Sequence, residues 1–390
     1  DAICKDWEDN PVRFGILSLV AAILSNQQSP LKDWVPDITH CNDWQSGLTP
    51  AYMHFMSASR TQMKQAKSVL SIHNLAFQGC YHANWVTSLG LPAESYQING
   101  VEYYGQLSFL KAGIFYADGL CTVSPTYAKE IQTEAYGFGM QGLLTARGKE
   151  IYGILNGLDT QEWNPAADPH LSEHYDADHL DGKQKVKAAL QKTLGLKTQA
   201  NTPLLGVVSR LTHQKGLDML LACAEVLIEQ HGCQLAVLGS GDATLEQGYR
   251  DLAQRFPNQV SVTIGYNEAL SHQIMAGCDI FIMPSRFEPC GLNQMYGLRY
   301  GTPPVVTNTG GLADSVQDSN EISLANQSAT GFVMQKAEPK ALLSTVERAL
   351  SYYRDQEVWK KIQRNGMRQN LDWSKSAQAY MQMYQAILNK

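Results

Sequence analysis

The sequence predicts an α/β protein built of two domains with parallel sheets. Three observations carry this. The chain has 390 residues, more than one ordinary domain holds, so two domains are expected. From Pro203 onward, short apolar runs alternate with segments of helical spacing, the pattern of βαβ units with right-handed crossovers. Finally, Asp279–Val306 reads as strand, loop, helix, strand. Its loop leaves the carboxyl end of a buried parallel strand, where open α/β sheets bind ligands.

Composition narrows the class. Hydrophobic residues make up 44% and charged residues 17%, which supplies a core and argues against disorder. The net charge of −6 shows no basic excess, so nucleic acid and anionic membrane surfaces are excluded as expected partners. The eight cysteines, Cys4, Cys41, Cys80, Cys121, Cys223, Cys233, Cys278 and Cys290, form no CxxC pair. That spacing suits free thiols in a reducing compartment better than disulfides or a zinc site. Phe14–Leu24 is too short to span a bilayer and follows acidic rather than basic residues, so it is expected to be a buried helix. No targeting segment is visible, and a cytoplasmic setting is the expectation.

In chain order, Asp37–Leu48 reads as a strand end followed by a helix start, with Asp43 and Ser46 placed to cap the helix or reach a ligand. Val69–Ile72 is a strand ending in His73-Asn74. Tyr103–Ile131 reads as helix, strand, helix. Leu107, Leu110, Ile114 and Phe115 give the first helix its apolar face, and Leu120–Val123 is the strand. Ser124-Pro125 opens the next helix. Lys111 is expected to be solvated. Glu150–Pro165 holds the last strand of this half, with a turn at Asn156-Gly157. Trp163–Gly182, rich in Pro, Asp and His, reads as a linker. Its Asp176-Ala177-Asp178 triplet, with no strand before it, is expected to be a solvated loop rather than a metal–diphosphate clamp.

The second half is regular. Strands are expected at Leu204–Val208, Leu235–Leu238, Val260–Ile264, Ile280–Met283 and Val305-Val306. Helices are expected near Gly216–Gln230, Leu245–Arg255, Glu268–Ala276 and Leu292–Tyr300. Arg210 and Lys215 fall in the loop after the first of these strands, where cations pair with phosphates. Glu288 lies in the loop before Leu292–Tyr300, a carboxylate beside a helix start. Gly239–Asp242 is a glycine turn, His272 is expected to be structural, and Pro339–Lys390 is helical. Trp359, Trp373, Tyr380 and Tyr384 form its apolar stripes.

A family resemblance rests on four strings. FEPCGLNQMYGLRYGTPPVV, from Phe287 to Val306, resembles the glucosyl-binding segment of bacterial-type glycogen and starch synthases. IHNLAFQG at Ile72–Gly79, SRLTHQKG at Ser209–Gly216 and DWQSGL at Asp43–Leu48 are similar to that family's segments in the same order. In the last string Gln45 stands where the family commonly has histidine. The resemblance implies a GT-B fold, two Rossmann-like domains facing a cleft. Residues 1–162 with the C-terminal helix 374–390 would form the amino-terminal domain and 163–373 the nucleotide-sugar domain. No counterpart of the family's opening strand and K-x-G-G-L loop precedes Asp9, so the first domain is expected to be incomplete. TGGLAD at Thr309–Asp314 lies in the other domain and is not that loop.

The same resemblance implies transfer of glucose from ADP-glucose, with UDP-glucose the other donor to weigh, to the 4-hydroxyl end of an α-1,4-glucan with retention, that is, glycogen synthesis. It assigns Glu288, His73, Arg210 and Lys215 to catalysis. Asp43, Asn74, Asn156, Tyr266, Cys290, Gly291, Leu292 and Asn293 are assigned to donor and substrate binding. No metal, pyridoxal phosphate or other cofactor is expected. Many relatives carry a second glutamate eight residues after the first; here that position is Tyr296, as in the bacterial-type enzymes. Two alternatives stand beside this reading: an α-glucan phosphorylase-like enzyme, for which no segment resembles the cofactor site, and an inactive fragment or binding protein of the same family.

Overall fold

A computed structural model describes residues 7–27, 29–31, 34–58 and 64–390; Cys4 lies outside them. The chain divides into two compact units, 1–155 with 376–390, and 156–375. The boundary falls before residue 162 because Leu158 already bridges Asp372 and Trp163 already packs in the second unit.

The first unit has a four-stranded parallel sheet in the order β1-β2-β6-β7. The strands are β1 (Ile38–Asn42), β2 (Lys67–Ile72), β6 (Gly119–Thr122) and β7 (Ile151–Gly153). A small antiparallel sheet of β3 (Cys80–His82), β4 (Glu102–Tyr103) and β5 (Gln106–Ser108) flanks it. Alternate residues of β2 serve opposite faces. Leu70 and Ile72 join Leu48, Phe109, Leu110 and Ile114 in the main core. Val69 packs with Cys121, Met383 and Ile387, so the C-terminal helix Trp373–Leu388 covers the other face. The hydroxyl of Tyr384 on that helix lies 2.6 Å from His40 Nδ1, whose other nitrogen meets Ser71 Oγ at 2.7 Å. Burial, with His73 nearby, pulls His40 down to about 4.

Three expectations change here. Leu107 belongs to β5 and not to a helix. That helix begins at Phe109, where the Ser108 hydroxyl accepts from the Lys111 backbone N–H. Lys111 is buried rather than solvated. Its ammonium donates to the Ile98 and Glu102 carbonyls and ties that loop down. The Asn10–Leu24 helix buries Asn10 and Pro11 at its start and then a stripe of Gly15, Ser18 and Ala22, leaving Ile16, Leu17 and Val20 about half exposed. An unbroken apolar run does not say how many faces of a helix find a partner.

The second unit has a six-stranded, all-parallel sheet in the order β10-β9-β8-β11-β12-β13. The strands are β8 (Leu204–Val208), β9 (Gln234–Gly239), β10 (Val260–Ile264), β11 (Ile280–Met283), β12 (Pro304–Thr307) and β13 (Phe332–Met334). Its central strands are buried on both faces, and β8 and β11 read as continuous apolar runs. Ile280 and Ile282 face the helices Leu217–Glu229 and Pro339–Arg354, while Phe281 and Met283 face Trp163, Tyr175 and Tyr300. The chain runs outward from β8 to β10 and returns to β11 beside β8. The sheet therefore reverses its winding between β8 and β11, the position at which such sheets open a crevice.

The stretch read as a linker is part of this unit. Trp163, Asp168 and Tyr175 are buried, and Asp181–Thr193 is a helix. Its anchors are aromatic and spaced irregularly, so no period betrays them. Asp176 and Asp178 are exposed, engaged with His179 and Arg368. Among the described residues no helix is long and apolar enough to cross a membrane. The seven described cysteines are unpaired.

Candidate functional site

The carboxyl ends of β8 and β11 bring three predicted residues into one loop cluster. After β11, Pro284 ends the strand and Glu288 turns back into the fold, where it is 6% exposed. A carboxylate removed from water needs partners. Glu288 Oε2 accepts from Lys215 Nζ at 2.5 Å and from Ser285 Oγ at 3.0 Å. Lys215 comes from the short turn after β8, so the ion pair joins the two strands at the reversal point. The loops are also clamped by Arg286, whose guanidinium donates twice to Asp218, each bond 2.7 Å, and once to the His213 carbonyl. Arg210, from the same β8 loop, remains exposed.

A second layer holds the Glu288 loop in place. Gln294 Nε2 donates to the carbonyls of Cys290 and Gly291 and to Ser315 Oγ. Gly311 N donates to the Glu288 and Pro289 carbonyls. A Cβ on Gly310, whose φ is +42°, would sit 2.0 Å from the Glu288 carbonyl oxygen, so only glycine allows this approach. TGGLAD thus lies beneath Glu288 and supports its loop. Sequence reasoning missed Ser285, Gln294, Gly310 and Gly311 as site residues; the paired glycines after a strand were the one visible signal.

Beside this cluster opens a cavity of about 490 Å³, at the ends of β8, β9 and β10. Arg210, Tyr266, Asn293 and Tyr296 line it. Tyr266 is 87% exposed, a ring presented to solvent. Asn293 Nδ2 donates to the Val208 carbonyl at 2.6 Å, closing the wall between β8 and the Asn293–Arg299 helix. Leu292 is partly exposed at the helix start, and Gly291 turns the chain into it. Cys290 is buried; burial pushes its thiol up to about 12, and the Asn156 backbone hydrogen-bonds to it. That bond places Asn156 against the Glu288 loop, though as a backbone donor. A buried neutral thiol of this kind is no nucleophile.

The far wall is a stack that the sequence did not reveal. Trp163 lies between Tyr296 (3.7 Å, 14°) and His272 (3.9 Å, 14°). His272 Nδ1 meets Asp168 Oδ2 at 2.7 Å, and Tyr300 donates to the same oxygen at 2.5 Å. Burial draws His272 down, but the Asp168 and Glu268 carboxylates outweigh it and hold it above the ordinary histidine value. Burial likewise raises Asp168, and the bonds from His272 and Tyr300 more than reverse it. The structural role expected of His272 fits this geometry. Glu162, Glu268 and His272 present ligand atoms within 4.8 Å of one another; His272 is already engaged by Asp168 on one ring nitrogen and lies 3.4 Å from Glu268 on the other.

In the first unit, Asp43, His73 and Asn74 gather at the carboxyl ends of β1 and β2. Asp43 caps no helix. It has φ +55°, and its Oδ1 accepts from His73 N at 2.7 Å and Asn74 N at 3.4 Å. Burial raises its carboxyl despite those bonds. His73 Nε2 pairs with Asn42 Oδ1 at 2.9 Å. Asp43 therefore sets the backbone turn that aims His73 and Asn74. Ser46 closes locally onto Asn42.

Comparison with known proteins agrees across nearly the whole chain. The family described as starch synthase catalytic domain matches residues 1–146, and glycosyl transferases group 1 matches residues 195–366. The chain is 53% identical to a glycogen synthase of Nitrosomonas eutropha over 386 residues, covering 99% of this chain and 76% of that protein. It is also 53% identical to one of Dechloromonas aromatica, with 98% and 77% covered. Among solved structures it resembles the catalytic domain of starch synthase IV from Arabidopsis thaliana bound to ADP and acarbose. That match has a TM-score of 0.90 and 33% identity, covering 99% of this chain and 79% of that one. A Rickettsia africae glycosyltransferase, at TM-score 0.59 and 18% identity, shares the fold alone.

Proposed function

Since the chain belongs to the glycogen synthase family of GT-B glycosyltransferases, we propose that it moves glucose from ADP-glucose to the 4-hydroxyl end of an α-1,4-glucan, with retention, in a cytoplasmic setting. The observation that carries this reading is the Glu288–Lys215 pair at the sheet's reversal point, beside a cavity edged by Arg210 and Tyr266. The cavity's volume and exposed tyrosine suit a nucleoside, and the solved relative has ADP bound.

The chemistry follows from charge. As the bond from C1 of glucose to the diphosphate breaks, negative charge grows on the leaving phosphate. Arg210 and Lys215 are the cations that would meet it, and preorganised charge of this kind lowers the barrier most. Glu288, held by Lys215 and Ser285, would grip glucose hydroxyls and so fix the ring. Because Lys215 touches Glu288, one ammonium links the sugar's anchor to the leaving group. Cys290, Gly291, Leu292 and Asn293 shape the loop that carries Glu288. His73 and Asn74, oriented by Asp43, are assigned to glucose in the first unit, and Asn156 to the donor side. With departure and attack sharing one face of the sugar, no protein nucleophile is required, and no metal or other cofactor is assigned.

A donor competition tests the assignment. With glycogen as acceptor and both sugar nucleotides present, ADP-glucose should be consumed at least tenfold faster than UDP-glucose. Equal or reversed preference would overturn the donor.

A further inference from the structure

We propose that a cavity at the amino end of β8 binds a small sugar or polyol phosphate, separately from the transfer site at that strand's carboxyl end. The cavity holds about 620 Å³, within the roughly 300–1,000 Å³ of small-molecule pockets. Its walls come from the helices Asp181–Thr193, Pro339–Arg354 and Gln356–Met367, and from Ala200, Asn201 and Pro203 on the approach to β8.

The charge on these walls is one-sided. Lys183, Arg354 and Lys360 face a single carboxylate, Asp181, while His231 at the edge is taken by Glu347 at 3.1 Å. Among the described residues neither Arg354 nor Lys360 enters an ion pair, whereas Arg348, on the same helix as Arg354, is paired with Asp318. Lys183 is 4% exposed, and its ammonium donates to three neutral acceptors: the Ala276 and Tyr300 carbonyls and the Thr302 hydroxyl. Burial lowers it to about 7, with Asp279 pulling the other way. Asp279, however, is itself bonded by Lys187 at 2.6 Å. A buried ammonium bonded only to neutral groups lacks a counter-charge, and an anion in the cavity supplies one. Arginine's planar fork and lysine's point charge are the side chains that hold phosphate oxygens.

The remaining walls suit a hydroxylated body rather than a base. Gln184, Asn201 and Gln356 bring amides, which donate and accept as hydroxyls require. The Tyr353 ring is 6% exposed and offers no free face for stacking a base, unlike Tyr266 in the other cavity. The walls are also fixed beforehand. Lys187 Nζ donates to the Ala200 and Thr202 carbonyls at 2.8 and 2.7 Å, and Gln363 Nε2 donates to the Gly301 carbonyl at 2.7 Å. A pocket that needs no ordering loses little freedom when its ligand arrives.

Calorimetric titration of ribose 5-phosphate into the 390-residue chain, with ADP in excess to fill the cavity of Tyr266, tests this. One molecule should bind per chain. Arg354→Gln/Lys360→Gln should weaken binding at least tenfold with the melting temperature unmoved, since neither side chain holds an ion-pair partner. Lys361→Gln removes an exposed charge outside the cavity and should leave binding within twofold. Inorganic phosphate and ribose should each bind at least tenfold more weakly than ribose 5-phosphate. No uptake by the unaltered chain, uptake abolished by ADP, or equal binding by the double variant overturns the site. So does a loss in Lys361→Gln as large as in the double variant, which would mean diffuse attraction. Inorganic phosphate binding as tightly as ribose 5-phosphate would show a bare anion site and overturn the sugar-phosphate assignment. Titration reads binding without turnover. A chain that binds ribose 5-phosphate but transfers no glucose would therefore refute the proposed function and leave this site standing.

Discussion

Replacing Lys215 with methionine isolates the contact on which the site depends. Lys215 Nζ and Glu288 Oε2 are 2.5 Å apart, with side chains 15% and 7% exposed. At an effective dielectric constant of about 20, charges that close attract by roughly 7 kcal/mol before desolvation is counted. The net value of such a pair is far smaller, but removing one partner strands the other. In Lys215→Met, Glu288 keeps only the Ser285 hydroxyl, and a buried carboxylate left this way costs about 3–5 kcal/mol. For a unit of this size, each kcal/mol moves the melting temperature by about 2–4 °C, so a fall of roughly 6–20 °C is expected in a thermal scan. Glucose incorporation into glycogen should fall by about a hundredfold to a thousandfold, the usual loss when one preorganised group facing developing charge is removed. The double variant Lys215→Met/Glu288→Gln separates the two effects. It should recover much of the lost stability, since no charge is stranded, and none of the activity. A single variant melting within 1 °C of the unaltered chain, or a double variant no more stable than the single, would refute the reasoning.

Two further outcomes follow from the same geometry. Gly310→Ala places a Cβ about 2.0 Å from the Glu288 carbonyl in a left-handed conformation; a cost of at least about 2 kcal/mol, or roughly 4–8 °C, should accompany lost turnover, and an unchanged scan would show that Thr309–Asp314 does not support the loop. Lys183 tests linkage. Burial lowers its ammonium from 10.5 to about 7 while it donates to the Ala276 and Tyr300 carbonyls and the Thr302 hydroxyl. Between pH 10.5 and 7 the unfolded chain holds this proton and the folded chain gives it up, so Lys183 adds stability as pH rises, at most about 1.4 kcal/mol per unit. Lys183→Met should therefore look worse against the unaltered chain at pH 9 than at pH 7, and a pH-independent difference would contradict the shift.

Much of this was legible beforehand, for physical reasons. In the second unit the central strands are buried on both faces, so β8 and β11 stand out as apolar runs, whereas the edge strand β10, Val-Ser-Val-Thr-Ile, shows by alternation; all three have the boundaries read from sequence. Glu288, Arg210 and Lys215 were found because loops at strand ends carry ligand chemistry and because their strings resemble a family. What escaped has no period. Trp163 and Asp168 anchor an irregular strap through stacking and hydrogen bonds, and composition made that strap look like a linker. Gln294 and Gly310 act on backbone carbonyls, which no side-chain pattern announces. Leu107 was assigned to a helix because a strand of three residues, Gln106–Ser108, cannot show alternation before the helix begins. Trp373, expected in a packed stripe, is 45% exposed, since its helix begins at that residue and is buried only farther along, at Ser376, Met383 and Ile387.

The most direct measurement is transfer of labelled glucose from ADP-glucose to glycogen by the purified 390-residue chain and by its Glu288→Ala variant. The account predicts incorporation into α-1,4-linked chain ends by the unaltered chain and its abolition in the variant. Turnover by Glu288→Ala equal to that of the unaltered chain would contradict it.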